Sequence, residues 1–371
     1  MLSSKNINED AITNLNDVRY LSKADFDISN NRTKVTKGDV LFTSVGSIGR
    51  TCIYDLLVPV AFQRSVTVMT TYIYNRYFKL FLDSPLYQNY VFENARGTAQ
   101  KGFYINQIEN SLIPIPPYNE QIKIVEITEK LLSFVKKIEE ERNNIIENIY
   151  RIKSEILDLA ISGKLAPQNS ADEPAIELLR KINPAFKPCD NSHYENLPEN
   201  WCLAKVKDVF VINPRNKAED NTIAGFIPMT LIDDGYSNTF SYEKRKWGSI
   251  KTGFSHFADG DVAVAKISPC LENRKSIVLR DLPNAIGAGT TELHVFRSSV
   301  VVPEYALYFF KSEYFISKCV GTFNGVVGQQ RVGKNIIEEI QIPIPPINEQ
   351  TKIVSTIETI FTQLNTITAE L

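Results

Sequence analysis

Cysteine and histidine are the residue types that most often carry metal or nucleophilic chemistry, and both are sparse in this chain. The five cysteines are scattered with no C-x-x-C spacing, and the three histidines lack the spacing of metal ligands. An odd number of scattered cysteines is typical of the reducing cytosol rather than of a disulfide framework. We therefore predict a cytoplasmic protein with neither a metal site nor disulfides.

A second candidate for chemistry is Pro116-Pro117-Tyr118, which has the form of the tail of the Asn-Pro-Pro-Tyr loop that holds a flipped adenine in amino-methyltransferases. The preceding Ile115 has no amide or carboxylate to accept the amino protons, and the motif recurs with Ile347 in place of the aromatic ring. The sequence also has no glycine-rich loop suited to S-adenosylmethionine, no G-x-x-x-x-G-K-[ST] phosphate loop and no cluster of carboxylates with a lysine. It therefore predicts that this chain is not an enzyme.

Length, composition and charge restrict the remaining classes of protein. The 371 residues are 43% hydrophobic and 23% charged, which indicates a folded chain of two or three domains. The 41 basic and 43 acidic residues give a net charge of -2, which excludes nucleic-acid binding by bulk positive charge but allows local basic faces. No apolar stretch approaches the ~20 residues of a membrane helix, so we expect no membrane partner.

An internal repeat organises the chain. Residues 113–125 (IPIPPYNEQIKIV) match residues 342–354 (IPIPPINEQTKIV) at eleven of thirteen positions. Upstream, Gly38-Asp39-Val40 has a counterpart in Gly260-Asp261-Val262, and the stretches 77–85 and 305–313 are similar. The chain therefore contains two copies of one long unit.

Each copy is predicted to be an α+β (mixed α/β) block followed by a helix. Short branched or alternating runs between Gly, Asp and Pro residues predict strands at 40–45, 262–267, 276–280 and 292–296. Aromatic and aliphatic residues at helical spacing predict one helix per block, near 77–94 and 303–320.

The helix after each Pro-Pro carries an apolar stripe with heptad spacing. In the first copy the stripe runs for about five heptads and ends near Gly163, through Ile124, Thr128, Leu131, Val135, Ile138, Arg142, Ile145, Ile149, Ile152, Ile156 and Leu159. The second copy continues to Leu371 in the same phase and is about half as long. We expect the two helices to pair in an antiparallel coiled coil, because a lone helix would expose the stripe. Arg142 either sets the register or extends its head to solvent.

These features closely resemble the specificity (S) subunits of type I restriction–modification systems. The resemblance rests on the doubled IPIPP-x-NEQ motif with its heptad helix and on the stretches GDVLFTSVGSIGRTCIYD (38–55), LDLAISGKLAPQNSADEPAIELLRKI (157–182) and LPENW (197–201). It covers nearly the whole chain.

The resemblance implies two repeated globular target-recognition domains, joined by a long antiparallel two-helix coiled coil with pseudo-twofold symmetry. It implies a non-catalytic reader of double-stranded DNA, each domain recognising half of a bipartite sequence while the helices space the halves. Expected partners are two methyltransferase (M) subunits, which methylate adenine, and restriction (R) subunits. No cofactor is expected in this chain, since S-adenosylmethionine, ATP and Mg would be held by the partner subunits.

The predicted boundaries follow from the repeat. We expect target-recognition domain 1 at 1–117, the central spacer helix at 118–165, a linker at 166–196, target-recognition domain 2 at 197–346 and the second spacer helix at 347–371. Before its Gly-Asp-Val, domain 2 has 64 residues from Asn196, whereas domain 1 has 37. Domain 1 is therefore expected to be N-terminally incomplete by roughly 27 residues, which is the difference between the two counts.

DNA-contacting residues are expected in polar, glycine-bearing loops with basic tips. The candidates are Ser44, Ser47, Arg50, Arg64 and Lys101 in domain 1, and Lys244, Arg245, Lys246, Arg274, Lys275, Gln329, Gln330, Arg331 and Lys334 in domain 2. The loop at 328–334 is the strongest of these, because Gln and Arg form bidentate hydrogen bonds with adenine and guanine. For each single residue the alternative is a solvated surface charge.

A second functional hypothesis stays open. The chain is alternatively a truncated scaffold or decoy that binds M subunits through its coiled coil without competent DNA readout. Methylated adenines in a split motif, mapped after co-expression with the partner subunits, would favour the first hypothesis over the second.

Overall fold

The structure, a computed structural model, describes residues 1–8, 10–97, 101–190, 197–322 and 330–371. The chain forms two compact units, Met1–Glu140 and Glu141–Leu371. Each unit combines helices with β-sheets, which confirms the predicted α+β class. Among the described residues, none of the helices has both the length and the apolar composition that a bilayer crossing requires.

The first unit is built around one antiparallel sheet in which β3 lies between β4 and β5. β3 is buried on both faces: Val40 and Phe42 pack against helices, and Leu41 packs against the N-terminal segment. β1 and β2 form a separate hairpin. The described elements of this unit are β1 (Ile7–Asn8), β2 (Ala11–Ile12), α1 (Lys23–Thr33), β3 (Val40–Thr43), β4 (Thr51–Ile53), β5 (Val66–Met69), α2 (Asn75–Asp83), α3 (Pro85–Asn94), α4 (Ile105–Glu109) and the first half of α5 (Tyr118–Ile161).

The second unit contains the counterpart of that sheet and additional elements. Its described elements after α5 are α6 (Ala175–Ile182), β6 (Cys202–Lys205), α7 (Val206–Val209), β7 (Val211–Ile212), β8 (Ile223–Ile227), β9 (Glu243–Lys246), α8 (Trp247–Ile250), β10 (Ser255–Ala258), β11 (Val262–Ala265), β12 (Ser276–Val278), β13 (Ile286–Gly289), β14 (Leu293–Arg297), α9 (Pro303–Lys311), α10 (Glu313–Val320), α11 (Lys334–Glu339), β15 (Gln341–Ile344) and α12 (Ile347–Glu370). The sheets have the orders β12-β11-β14-β7, β10-β13-β8-β9 and β15-β6.

The central strand β11 is buried on both faces, as β3 is in the first unit. Val262 and Val264 pack in the same cluster as the α9 and α10 side chains, whereas Ala263 and Ala265 pack with Phe257 of the β10-β13-β8-β9 sheet. The result is a layered arrangement in which helices and a second sheet cover opposite faces of one sheet.

The sequence repeat is also a repeat of hydrogen bonds. Gln121 accepts a hydrogen bond from the Tyr74 amide at 2.8 Å, and its counterpart Gln350 accepts one from the Val302 amide at 2.7 Å. Both glutamines also donate to the carbonyl of the first proline of their own Pro-Pro pair, at 2.8 Å and 3.0 Å. The predicted duplication is therefore present at the level of individual contacts.

The prediction of one helix near 77–94 and one near 303–320 was wrong, because each region contains two helices. The breaks fall at Ser84 and Ser312, which have extended backbone and cap α3 and α10. Each serine hydroxyl accepts a hydrogen bond from the amide three residues later, which satisfies one unpaired donor of the new helix. Pro85 follows in the first position of α3, where proline is favoured.

The long helix α5 has two differently packed halves. Its second half runs antiparallel to α12 in the second unit: the Arg142 Nε donates to the Leu371 carbonyl at 2.9 Å, and the Lys153 Nζ donates to the Asn365 Oδ1 at 2.6 Å. Ile156 and Ile357 lie in the same buried cluster. Arg142 is exposed and also bonds Leu371, which directly follows α12, so both predicted roles, setting the register and extending to solvent, fit this geometry.

Candidate nucleic-acid interface

Within each unit, an equivalent pair of segments meets at one end of the central strand. In the first unit the Phe103 amide donates to the Ser44 carbonyl at 2.8 Å, just beyond β3. In the second, the Val332 amide donates to the Lys266 carbonyl at 2.9 Å, just beyond β11. The strand-end loops predicted to contact DNA therefore lie beside the segments around residues 101 and 331 in both units. We call this arrangement the paired loops.

The paired loops of the second unit carry several basic side chains. Arg331, opposite Ile267 in an isolated antiparallel bridge, donates to both carboxylate oxygens of Glu292 at 2.8 and 3.0 Å. This hydrogen bonding lowers the pKa of Glu292, so that the carboxylate stays charged and holds the guanidinium in place. Lys334 is exposed, and its Nζ lies 3.3 Å from the Glu338 Oε1. Gln330 is partly exposed, and its backbone carbonyl accepts a hydrogen bond from the Ser268 amide. The Gln330 side-chain amide takes no part in that bond.

His294 lies beneath this basic surface. It is buried, and its pKa is lowered to about 4, first by burial and then by the positive charges of Lys266 and Lys334, which oppose the effects of Val332 and Glu292. At neutral pH the imidazole is therefore uncharged. The positive charge of the paired loops comes from their lysines and arginines. Because His294 stays neutral between pH 6 and 8, it does not alter that charge in this range.

In the first unit the paired loops border a cavity of about 450 Å³. Arg64 and Tyr104 line it together with Thr67 and Asn106, and both Arg64 and Tyr104 are exposed. Lys101 is also exposed. The cavity combines hydrogen-bonding groups, a positive charge and an aromatic ring, which are the groups that contact phosphates and bases.

The β3–β4 turn supplies two further predicted residues of the first unit. Arg50 is exposed and donates to the Ile7 carbonyl at 3.4 Å and to the Asn8 side chain. Ser47 is partly exposed, and its carbonyl accepts from the Thr43 hydroxyl. These bonds fix the turn and leave the guanidinium at the surface.

Three predicted residues have their polar groups committed within the chain. Arg274 is buried: it pairs with Glu313 at 2.8 Å, donates to the Tyr150 hydroxyl at 2.7 Å and lies over the Tyr150 ring. Ser44 is buried with its hydroxyl 2.6 Å from that of Thr67. Lys275 donates to the Ile232 carbonyl at 2.7 Å. Arg274 and Ser44 are buried, so the prediction that they lie at exposed loop tips is wrong, whereas Lys275 is half-buried and its contact with DNA stays a prediction.

The basic run 244–246 lies apart from the paired loops, on the edge strand β9. Lys244 and Lys246 are exposed, whereas the Arg245 guanidinium stacks 3.7 Å from the centre of the Phe226 ring and pairs with Glu243 at 2.6 Å. Lysines on an edge strand also prevent pairing with other sheets. Gln329, the last predicted residue, lies outside the described residues.

Lys266 is the basic residue that sequence reasoning missed. It lies at the end of the buried strand β11, and its backbone joins the two loops. When the two Gly-Asp-Val motifs are aligned, Lys266 falls at the position of Ser44, a predicted DNA contact. The internal repeat could therefore have identified Lys266 from the sequence.

No group of three or more His, Cys, Asp or Glu residues in the described parts of the chain is placed to hold a metal ion.

Comparison with known proteins identifies the class. The family model for the type I restriction modification DNA specificity domain matches residues 5–148 and 198–371. The two matches coincide with the two copies of the repeat. This chain therefore belongs to the family of type I restriction–modification DNA specificity domains.

Curated relatives from Escherichia coli are specificity subunits as well. The type I restriction enzyme EcoEI specificity subunit is 37% identical over 227 residues, covering 56% of this chain and 38% of the relative. The EcoAI specificity subunit is 37% identical over 225 residues with the same coverage. The matched part of the chain thus spans under two fifths of the length of these relatives.

Solved structures share the fold. One match comes from a study of the structural basis of complex assembly and conformational transition in the type I R-M system. It has a TM-score of 0.63 and 16% identity, and it covers 91% of this chain and 77% of the matched chain. The HsdS subunit from Thermoanaerobacter tengcongensis matches with a TM-score of 0.50 and 16% identity, covering 91% and 76%.

Proposed function

We propose that this chain is the DNA-reading subunit of a type I restriction–modification complex and binds a bipartite target through its two repeated domains. The observation that carries the proposal is the recurrence of the paired loops, at the same place in the fold, in both units. Two equivalent reading surfaces on one chain suit a target with two recognised halves. The domain boundaries remain those predicted, with recognition domains at 1–117 and 197–346 and spacer helices at 118–165 and 347–371.

The side chains of the paired loops divide into two roles. Gln330 and Arg331 offer bidentate hydrogen bonding to base edges in the major groove, and the Glu292 carboxylate orients the guanidinium for it. Lys266, Lys334 and Lys101 supply phosphate contacts that fix the register on the duplex. In the first unit we expect Arg50, Arg64 and Ser47 to contact DNA.

The chemistry of such a complex would reside in partner chains. We expect two M subunits, docked on the helices, to hold S-adenosylmethionine and methylate adenine, and R subunits to use ATP and Mg when DNA is cleaved. This chain has neither the phosphate loop nor the acceptor residue before Pro116 that these reactions need. The complex is expected in the cytoplasm, where its DNA is.

The proposal is tested by the double substitution Arg331→Ala with Lys334→Ala in the chain assembled with its M subunits. Loss of the Arg331 base contact should relax the sequence preference, and loss of the Lys334 phosphate contact should reduce the salt slope of log K by about 1. Lys181→Ala, an exposed lysine on α6 away from the paired loops, is the matched control and should leave the slope unchanged.

The scaffold alternative predicts another result. A chain that binds M subunits without reading DNA would give equal affinity for all sequences, and neither substitution would alter it. An unchanged salt slope and unchanged sequence preference in the double variant would refute the assignment of the paired loops.

A further inference from the structure

The two copies of the IPIPP motif have the same internal hydrogen bonds but different surroundings. The Tyr77 hydroxyl donates to the Pro114 carbonyl at 2.8 Å, and the Tyr305 hydroxyl donates to the Pro343 carbonyl at 2.8 Å. The backbone of the motif is thus held in the same way in each unit, and any difference in exposure comes from what covers it.

In the second unit a strand covers the motif, and in the first unit no described strand does. β15 (Gln341–Ile344) pairs antiparallel with β6, and Ile342 and Ile344 have no exposed surface. The equivalent stretch 112–115 belongs to none of the described strands. Ile115, the counterpart of Ile344, is 61% exposed, whereas Ile113, the counterpart of Ile342, is partly buried. An uncovered edge of this kind is a template for strand addition.

The glutamate of the repeated Asn-Glu-Gln shows the same contrast. Glu349 is buried and accepts a hydrogen bond from the Trp201 indole at 3.0 Å. Burial raises the pKa of Glu349, and the indole hydrogen bond opposes this. Its counterpart Glu120 is exposed. The first unit has the acceptor without the tryptophan that covers it in the second.

The helices continue the contrast. On α12, Ile357 and Phe361 are buried against the second half of α5. At the equivalent positions of α5 the chain has Thr128 and Leu132, and Leu132 is 56% exposed. Beyond it Ile138 is 68% exposed, and its counterpart Ile367 on α12 is also exposed, at 46%.

A cavity of about 310 Å³ adjoins the uncovered stretch. It is lined by Phe81, Tyr87, Tyr90 and Leu112, among others. In the second unit the counterparts of Phe81 and Tyr87, which are Phe309 and Phe315, are buried in the large cluster that also contains Val206 and Val209 of α7.

Four covering groups of the second unit come from one stretch of the sequence, residues 141–210, and the rings of Tyr236 and Tyr308 also pack on Phe361. The stretch supplies the helix against α12, the indole on Glu349, the strand against β15 and the apolar side chains of α7. The chain has two copies of the motif and one such stretch. A second copy of the chain could supply its stretch only by uncovering its own repeat.

The geometry points to an interaction surface on the first unit, formed by residues 112–115, Glu120 and the 128–138 face of α5, that binds a polypeptide segment other than the chain's own residues 141–210. The segment has the chemistry of residues 141–210: an apolar helix face, a tryptophan, and a strand followed by a short apolar turn. It adds a strand antiparallel to 112–115, places its indole N–H on the Glu120 carboxylate and fills the adjoining cavity. This inference is independent of DNA reading.

The test uses the full chain and two probes. One is a fluorescent peptide of residues 197–210 with Cys202→Ser, and the other is a tagged polypeptide of residues 141–210 supplied in trans. We expect saturable binding of at least one probe with Kd below about 1 mM, with slowed amide exchange at 112–115. Ile115→Asn should weaken binding at least tenfold, whereas Leu57→Asn, another exposed apolar position of the first unit, should not.

The tryptophan contact is tested separately. Trp201→Phe in the probe should weaken binding several-fold to the wild-type chain and have no effect on binding to the Glu120→Ala chain. Absence of saturable binding by both probes overturns the proposal, as does exchange protection confined to 341–344. A wild-type dimer that Ile115→Asn converts to a monomer would assign the surface to a second copy and would also overturn it.

Discussion

Lys311 offers a direct test of how the second unit is assembled. Its side chain is fully buried, and its Nζ donates to the Gly235 carbonyl at 2.7 Å and the Arg274 carbonyl at 2.8 Å. The pKa of Lys311 is lowered to about 7, first by burial and then by the Arg274 guanidinium, against the opposing charge of Asp234. Lys311→Met keeps an unbranched apolar side chain and removes the titrating amine.

The sign of the pH dependence follows from the direction of this shift. Between pH 7 and 10.5 the lysine is mostly neutral in the folded state and charged in the unfolded state, so stability rises with pH. One pKa unit corresponds to about 1.4 kcal/mol, so wild type should gain about 2 kcal/mol relative to Lys311→Met between pH 7.5 and 9.5. Below pH 7 the lysine is charged in both the folded and the unfolded state, so the difference in unfolding free energy between wild type and variant no longer changes with pH.

The assay is urea unfolding followed by tryptophan fluorescence at pH 7.5, 8.5 and 9.5 under reducing conditions. Both tryptophans, Trp201 and Trp247, are buried in the second unit, so the signal reports on that unit. Burial raises the pKa of Cys202 to about 11 and that of Cys319 to about 12, which lowers stability as pH rises. The informative quantity is therefore the difference between wild type and variant.

Lys181→Met, an exposed lysine, serves as the control and should follow the wild-type profile. If Lys311→Met also follows the wild-type profile, the amine is not buried and neutral as described. Should the variant fail to fold, a ¹³C NMR titration of the Lys311 Cε in the wild type should give a midpoint near 7, and a midpoint near 10.5 would refute the reasoning.

Two further substitutions test the packing. Ile357→Ala removes a fully buried side chain between α12 and α5 and should cost the second unit about 2–5 kcal/mol, whereas Ile367→Ala, 46% exposed on the same helix, should cost under about 1 kcal/mol, as measured by urea unfolding; equal costs would contradict the pairing. Gly287→Ala would bring a Cβ to 2.5 Å from the Gly225 carbonyl oxygen and should cost about 1–3 kcal/mol or more, whereas Gly321→Ala, with its nearest atom at 4.0 Å, should be near neutral in the same assay.

Much of the architecture could be predicted because it follows from local patterns and from the repeat. The Gly-Asp-Val counterparts located β3 and β11, and heptad spacing located α5 and the shorter α12. The break within each predicted aromatic helix was missed, although Ser84 followed by Pro85 is a helix-start signal. Continuous apolar spacing outweighed that signal in the prediction.

The site could be predicted only by region. The paired loops coincide with two stretches singled out in the sequence, but Arg274 was wrongly grouped with exposed cations. Its burial depends on Tyr150 and Tyr236, which are distant in sequence and enclose its guanidinium. Nothing local in the sequence distinguishes it from Arg331, which lies at the surface.

The central claim, that the two repeated units read two halves of one DNA target, is tested most directly by mapping methylated adenines genome-wide after co-expression of this chain with its M subunits. The account predicts a single motif of two specified parts separated by a fixed unspecified spacer, and Arg331→Ala should relax or change the part read by the second unit. An M complex that co-purifies with the chain but leaves DNA unmethylated, or that methylates one uninterrupted motif, would contradict it.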